Sequence, residues 1–196
     1  KTYPSMHHPR GLQLAVTGVS DAIRSMGINW SAIKDTVQPS EIGVYAGSAM
    51  GQLDQFGGGG FLKAPSNGIR TTSKQIAFHF PQMVGDFINA YVLGSVGFTG
   101  GQAGACATAL YSLNAAVADI QSGKRRVAIV GTSEAPINYE VIEGYRSMTA
   151  LAEDAQILEL DKKLGLTKTD HQRACRPFAN NCGFTLAESA QFFVLF

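Results

Sequence analysis

The run Val127-Ala128-Ile129-Val130-Gly131 limits the fold most, because a short, nearly all-apolar, β-branched stretch suits a strand buried on both faces of a parallel sheet. Parallel neighbours need crossover connections, and helices usually supply them. Just upstream, Leu110, Leu113, Val117 and Ile120 recur three or four residues apart, which predicts a helix over 107–121 with one apolar face. Gly123 ends it. The same step occurs earlier. Leu12, Val16, Val19 and Ile23 form a helical stripe closed by Gly27, and Ile42-Gly43-Val44-Tyr45-Ala46-Gly47 then reads as a strand. Helix-to-strand steps of this kind define the α/β class.

Size and charge narrow the function. A chain of 196 residues, 45% hydrophobic, can bury one sizeable core. A net charge of +1 with 16% charged residues leaves no basic footprint for nucleic acid. No apolar run approaches the ~18 residues of a membrane span, and the N-terminus has no signal-peptide core, so a cytoplasmic protein away from the membrane is expected. Three cysteines, Cys106, Cys175 and Cys182, make an odd set that favours reduced thiols. His171 with Cys175 and Cys182 lacks the spacing of a zinc knuckle and a fourth ligand, so no metal site is expected.

Cys106 is the candidate for chemistry. It lies where a glycine-rich, strand-like stretch over 95–104 gives way to the predicted helix. The unpaired N–H groups of a first helical turn and the helix dipole both favour an anion there, and the same groups can face an oxyanion. The alternative is a buried small hydrophobe, the usual role of a lone cysteine among small residues.

The remaining segments read as scaffold and surface. The run Gly57-Gly58-Gly59-Gly60 makes the segment 48–70 a mobile surface loop; no Lys-Ser or Lys-Thr comes after it, as a phosphate cradle would require. Glycines 94, 97, 100, 101 and 104 imply close approach by another backbone, and their spacing fails the dinucleotide fingerprint. Pro81 opens a helix with Val84, Phe87, Ile88 and Tyr91 buried, and Pro136 opens another with Ile137, Val141, Tyr145 and Met148 inward. His7 and His8 read as an exposed approach, His79 as a helix-opening residue, and the charged segment 152–174 as a solvated excursion.

Ala105-Cys106-Ala107-Thr108 with its following helix and Gly131-Thr132-Ser133-Glu134 resembles the nucleophile segment of β-ketoacyl-acyl-carrier-protein synthases. Arg176-Pro177-Phe178 and Gly183-Phe184-Thr185-Leu186-Ala187-Glu188-Ser189-Ala190 are similar to later blocks of the same family. The details over 86–97 and 181–188 most resemble a divergent bacterial branch that includes acetoacetyl-acyl-carrier-protein synthases. The resemblance implies a thiolase-like fold whose mixed, mostly parallel sheet is layered with helices. It also implies that residues 1–196 form the N-terminal half of a synthase, without its first strand and C-terminal half.

The activity that the resemblance implies is that of an acyltransferase with Cys106 as its acylated nucleophile. Acyl-cysteine would condense with malonyl-acyl-carrier-protein by a decarboxylative Claisen step of fatty acid biosynthesis, with acetyl-CoA if the step is the initiating one. A thiolase-type acyltransferase and a non-catalytic synthase-like subunit are the alternatives. Met148 and Thr149 fall where the family has a loop near its acyl pocket. The partners implied are acyl-carrier protein, an acyl-CoA or acyl-carrier-protein substrate, and a second copy pairing through 95–104; no cofactor is implied. The family's two catalytic histidines lie in its second half, so this stretch alone should not condense.

Overall fold

The computed structural model describes residues 3–94 and 97–196. The chain divides into two compact units, 1–135 with 188–196, and 136–187.

The first unit is built on a four-stranded sheet in the order β2-β1-β3-β4, where β1 is Ile42–Gly47, β2 Phe98–Gly100, β3 Val127–Glu134 and β4 Ser189–Leu195. β2, β1 and β3 are parallel and β4 runs antiparallel to β3, so the sheet is mixed and mostly parallel as expected. Every residue of β1 is buried, and the strand alternates its side chains between two helical layers. Val44 and Ala46 pack, with Ile129, against Leu12, Ala15, Val16 and Val19 of α1 (Arg10–Ser25) and against Val84, Phe87 and Ile88 of α5 (Met83–Ile88). Tyr45 joins Ala128 and Val130 beneath Ala116 of α6 (Thr108–Gln121) on the other face.

The predicted face of α6 needs correction. Its buried residues are Thr108, Ser112 and Ala116, spaced by four, whereas Leu110 is 66% exposed and Leu113, Val117 and Ile120 are half-buried. Small side chains let the helix lie close on the sheet, so the leucine stripe is turned to the flank. α1 agrees with its prediction. Pro9, just before it, offers no capping side chain, and Asp54 Oδ2 accepts the Arg10 N–H at 2.7 Å instead.

The four-glycine run is not a loop. Gly58 begins a helix, α3 (Gly58–Lys63), and Gly58 and Gly59 are buried. A Cβ at Gly59 would run into the Leu53 carbonyl oxygen, and one at Gly60 into that of Gln55. Glycine is there because a neighbouring backbone occupies the side-chain space, and tertiary contact offsets its poor helix propensity. Two further short helices are present, α2 (Trp30–Thr36), capped by the Asn29 side chain on Ser31 N, and α4 (Ser73–His79), opened by a Thr72–Gln75 capping box. His79 therefore ends a helix rather than opening one. Pro81 precedes α5 by two residues, and Tyr91 is 42% exposed within a π-helical turn, Asn89–Leu93.

The glycines after α5 also have a local explanation. A Cβ at Gly97 would meet the carbonyl oxygen of Ile42, and one at Gly101 that of Ala46, so the close backbone is this chain's own β1. Ser95 and Val96 of the expected 95–104 strand lie outside the described residues; of the rest, Phe98–Gly100 is extended and paired to β1.

In the second unit, α7 (Tyr139–Ser147) is capped by the Asn138 side chain on Val141 N, so Asn138 and not Pro136 sets its start. Val141 is buried, Ile137 exposed. The segment read as a solvated excursion contains α8 (Asp154–Lys162), whose Ile157 and Asp161 are buried one turn apart. Asp161 accepts from the Asp170 N–H at 3.0 Å and from Arg176 Nη2 at 2.5 Å. The Asp170 amide and then the Arg176 guanidinium hold its carboxyl below the usual carboxylate range. A buried acid paired this way turns a charged sequence into an ordered element.

Gly59→Ala should destabilise the protein by about 1–3 kcal/mol through overpacking, while Gly144→Ala inside α7, where a Cβ meets nothing within 4 Å, should stabilise by about 0.5–1 kcal/mol; urea denaturation reads both. The Asp161 contribution is complete above the ordinary carboxylate range and is lost as pH falls through the depressed folded value. Asp161→Asn should therefore lower the urea midpoint at pH 7, with the gap to wild type closing on acidification.

Candidate active site

Cys106 lies in the connection that leaves the C-terminal end of β2, the side of a parallel sheet where crossover loops build sites. The chain does not pass straight from strand to helix there. Ala105–Ala107 form a 3₁₀ turn, held by Ala107 N to Gly104 O at 2.9 Å and by the Thr108 N–H to Ala105 O, and neither bond uses the Cys106 N–H. Ala105 has φ 47°, a left-handed conformation that costs a residue with a Cβ roughly 1–2 kcal/mol. Strain of this kind persists only where the surroundings enforce it.

Thr108 enforces it. Its hydroxyl donates to Ala105 O at 2.7 Å and accepts from Gly104 N at 3.0 Å, and its side chain is 2% exposed. A Cβ on Gly47, the last residue of β1, would lie 3.6 Å from Thr108 Cγ2, so the head of α6 is seated on the end of β1. The turn therefore presents Cys106 outward. Its thiol is free and exposed, which removes the reading of a buried small hydrophobe. The sequence places the helix start at 107, and the structure puts a tight turn ahead of it, with Cys106 one residue before the cap Ala107.

A second feature at the same ends of the strands went unassigned in the sequence. Glu134, the last residue of β3, accepts from Ser48 Oγ at 3.0 Å and from the Ala49 N–H. Burial pushes its carboxyl up despite those two donors. Ser48 Oγ also accepts from Gly51 N at 3.0 Å, so the carboxylate pins the loop leaving β1. A carboxylate at the end of a buried parallel strand was the available signal.

Met148 and Thr149 belong to the second unit, at the C-terminal end of α7; both are exposed, Met148 to 68%, and Thr149 has φ 54°. His8 is not an exposed approach. It is half-buried, with Nδ1 3.0 Å from Tyr3 Oη and ring contacts to Phe78, Phe87 and Tyr91, and burial foremost pushes its pKa down. His79 Nδ1 lies 3.1 Å from the Gln52 carbonyl oxygen, and His171 Nε2 3.0 Å from Asp154 Oδ1. Among the described residues, no three His, Cys, Asp or Glu side chains cluster as metal ligands.

Thr108→Val removes both hydroxyl bonds beneath the strained turn and should cost about 1–3 kcal/mol, whereas Thr108→Ser should stay near wild type; thermal denaturation with site-resolved alkylation of Cys106 distinguishes them.

Residues 9–196 match the family described as β-ketoacyl synthase, N-terminal domain. The chain is 53% identical over 193 residues to the β-ketoacyl-acyl-carrier-protein synthase FabY of Pseudomonas aeruginosa, covering 98% of this chain and 30% of that protein. The crystal structure of that ketosynthase superposes with a TM-score of 0.92 over 98% of this chain and 30% of the other. A 3-oxoacyl-acyl-carrier-protein synthase 2 of Staphylococcus aureus is 28% identical over 190 residues, 95% of this chain and 41% of that protein. A β-ketoacyl synthase structure from Burkholderia phymatum, 18% identical, shares the fold with a TM-score of 0.71 over 97% of this chain and 42% of that one. The chain thus spans less than half the length of the relatives it matches, and its sheet and helices have the thiolase-like arrangement. By sequence and by fold, it belongs to the β-ketoacyl synthase N-terminal domain family.

Proposed function

We propose that the protein containing this chain is a β-ketoacyl-acyl-carrier-protein synthase of fatty acid biosynthesis with Cys106 as its nucleophile. The observation that carries this reading is the exposed thiol on a strained 3₁₀ turn at the head of α6, in a chain that matches ketosynthases over nearly all of its length.

The Cys106 sulfur attacks the carbonyl of an acyl thioester and the carrier thiol leaves, giving an S-acyl cysteine. Malonyl-acyl-carrier-protein then loses carbon dioxide, and the resulting enolate carbon attacks the acyl-cysteine carbonyl. Collapse of the tetrahedral adduct releases the β-ketoacyl product and returns the thiolate. The Cys106 N–H, which the turn leaves out of its own hydrogen bonds, is one arm of the oxyanion hole. The complementary arm and the two imidazoles that polarise the thioester carbonyl come from a C-terminal half beyond residues 1–196. Each step uses a thiol, thioesters and hydrogen-bond donors, so the chemistry asks for no metal or organic cofactor.

Met148, exposed and apolar, and Thr149 beside it are assigned to contact with the acyl chain. Acyl-carrier protein is the donor partner, and FabY carries that carrier in its name. A second copy pairs along β2, which has no strand on its outer side among the described residues. Three free thiols fit a reducing cytoplasm, and no helix among the described residues is long and apolar enough to cross a membrane. Acetyl-CoA as first acyl donor, and so the initiating condensation, rests on likeness to the divergent branch.

Incubating the complete protein with acetyl-CoA and mapping the adduct by mass spectrometry should place one acetyl group on Cys106, and Cys106→Ala should carry none while folding normally. Acetylation at another residue would refute the assignment.

A further inference from the structure

The unit formed by 136–187 contains a cleft for which the condensation chemistry has no use. It is an open cleft of about 520 Å³ between the C-terminal end of α8 and the stretch following the 3₁₀ turn His171–Arg173. Leu160 and Leu164 give it an apolar wall. Its polar lining is rich in donors, Lys163, Arg173 and Arg176 with the amides of Gln172 and Asn180, and among the described residues no carboxylate lines it.

Arg176 is held ready. Its side chain is 11% exposed, Nη2 is fixed on buried Asp161 and Nε donates to the Arg173 carbonyl oxygen at 2.6 Å. The planar fork is therefore oriented before any ligand arrives, which cuts the ordering cost of binding. Asp161 offsets one of the three lining cations and leaves a net charge of two in the lining of a space of small-molecule size. Guanidinium forks match the oxygens of a tetrahedral anion, and lysine adds a point charge. A monocarboxylate would leave one cation unanswered.

We propose that this cleft binds a phosphate dianion, either free phosphate or the phosphate of a monoester whose organic body rests on Leu160 and Leu164. The site stands whether or not Cys106 is acylated.

Cys175 lines the same cleft and is exposed, so it reports occupancy. In the full-length protein, peptide-resolved alkylation of Cys175 by iodoacetamide is measured against added potassium phosphate, with Cys182 as internal reference. Phosphate should slow Cys175 alkylation roughly tenfold at saturation, and potassium chloride of equal ionic strength should not. Arg173→Gln and Lys163→Gln should each raise the half-protecting phosphate concentration about tenfold, the usual loss for a charge-assisted contact. Lys162→Gln, outside the lining, should leave it unchanged. Phenyl phosphate protecting at lower concentration than inorganic phosphate supports a monoester ligand, and equal concentrations support free phosphate. Equal protection by chloride, or protection unaltered in the Arg173 and Lys163 variants, overturns the site.

Discussion

The parallel pairing of β1 with β3, from Ile42 against Val127 to Gly47 against Thr132, is the contact on which the first unit depends. A one-residue slip would turn Val44 and Ala46 toward α6 and Tyr45 toward α1, exchanging the contents of two cores. Register also aligns the ends of the strands. With Gly47 and Thr132 level, Ser48 reaches Glu134 and the head of α6 rests on Gly47, so the loop leaving β1 and the start of α6 take their positions from strand pairing.

Strain and support are balanced at the turn that carries Cys106. The left-handed Ala105 costs energy that a residue in an ordinary strand-to-helix connection would not incur. Thr108, buried and doubly hydrogen-bonded, ties that strained residue to the first residue of the helix. The outcome is an exposed cysteine on a short turn whose backbone is held by its own hydrogen bonds.

The second unit uses a different device. Its chain is charged and short of large buried side chains, and a carboxylate replaces apolar bulk at its centre. Asp161 gathers α8, the Asp170 amide and Arg176, and the parallel bridge Leu151 to Phe184 ties the stretch after α7 to the last part of the unit. A buried ion pair stabilises little against a hydrophobic alternative, but its geometry is specific. Here it also orients a guanidinium.

The sequence alone was enough for the α/β class, α1, β1, β3 and the position of Cys106, because these depend on local periodicity and on glycine stops that act within a few residues. It was also enough for the family, through short blocks of residues. The tertiary structure alone decided that the glycine run opens a helix, that α6 buries its small residues instead of its leucines, that His8 sits among aromatic rings, and that Asp161 is buried. Each of those outcomes is set by atoms far away in the chain, such as the Leu53 carbonyl beneath Gly59, the sheet beneath Ala116 and the guanidinium of Arg176. Local pattern carries no record of how closely a distant backbone approaches or which charge it brings, and those distances fix both the strained turn at Cys106 and the cleft beside Arg176.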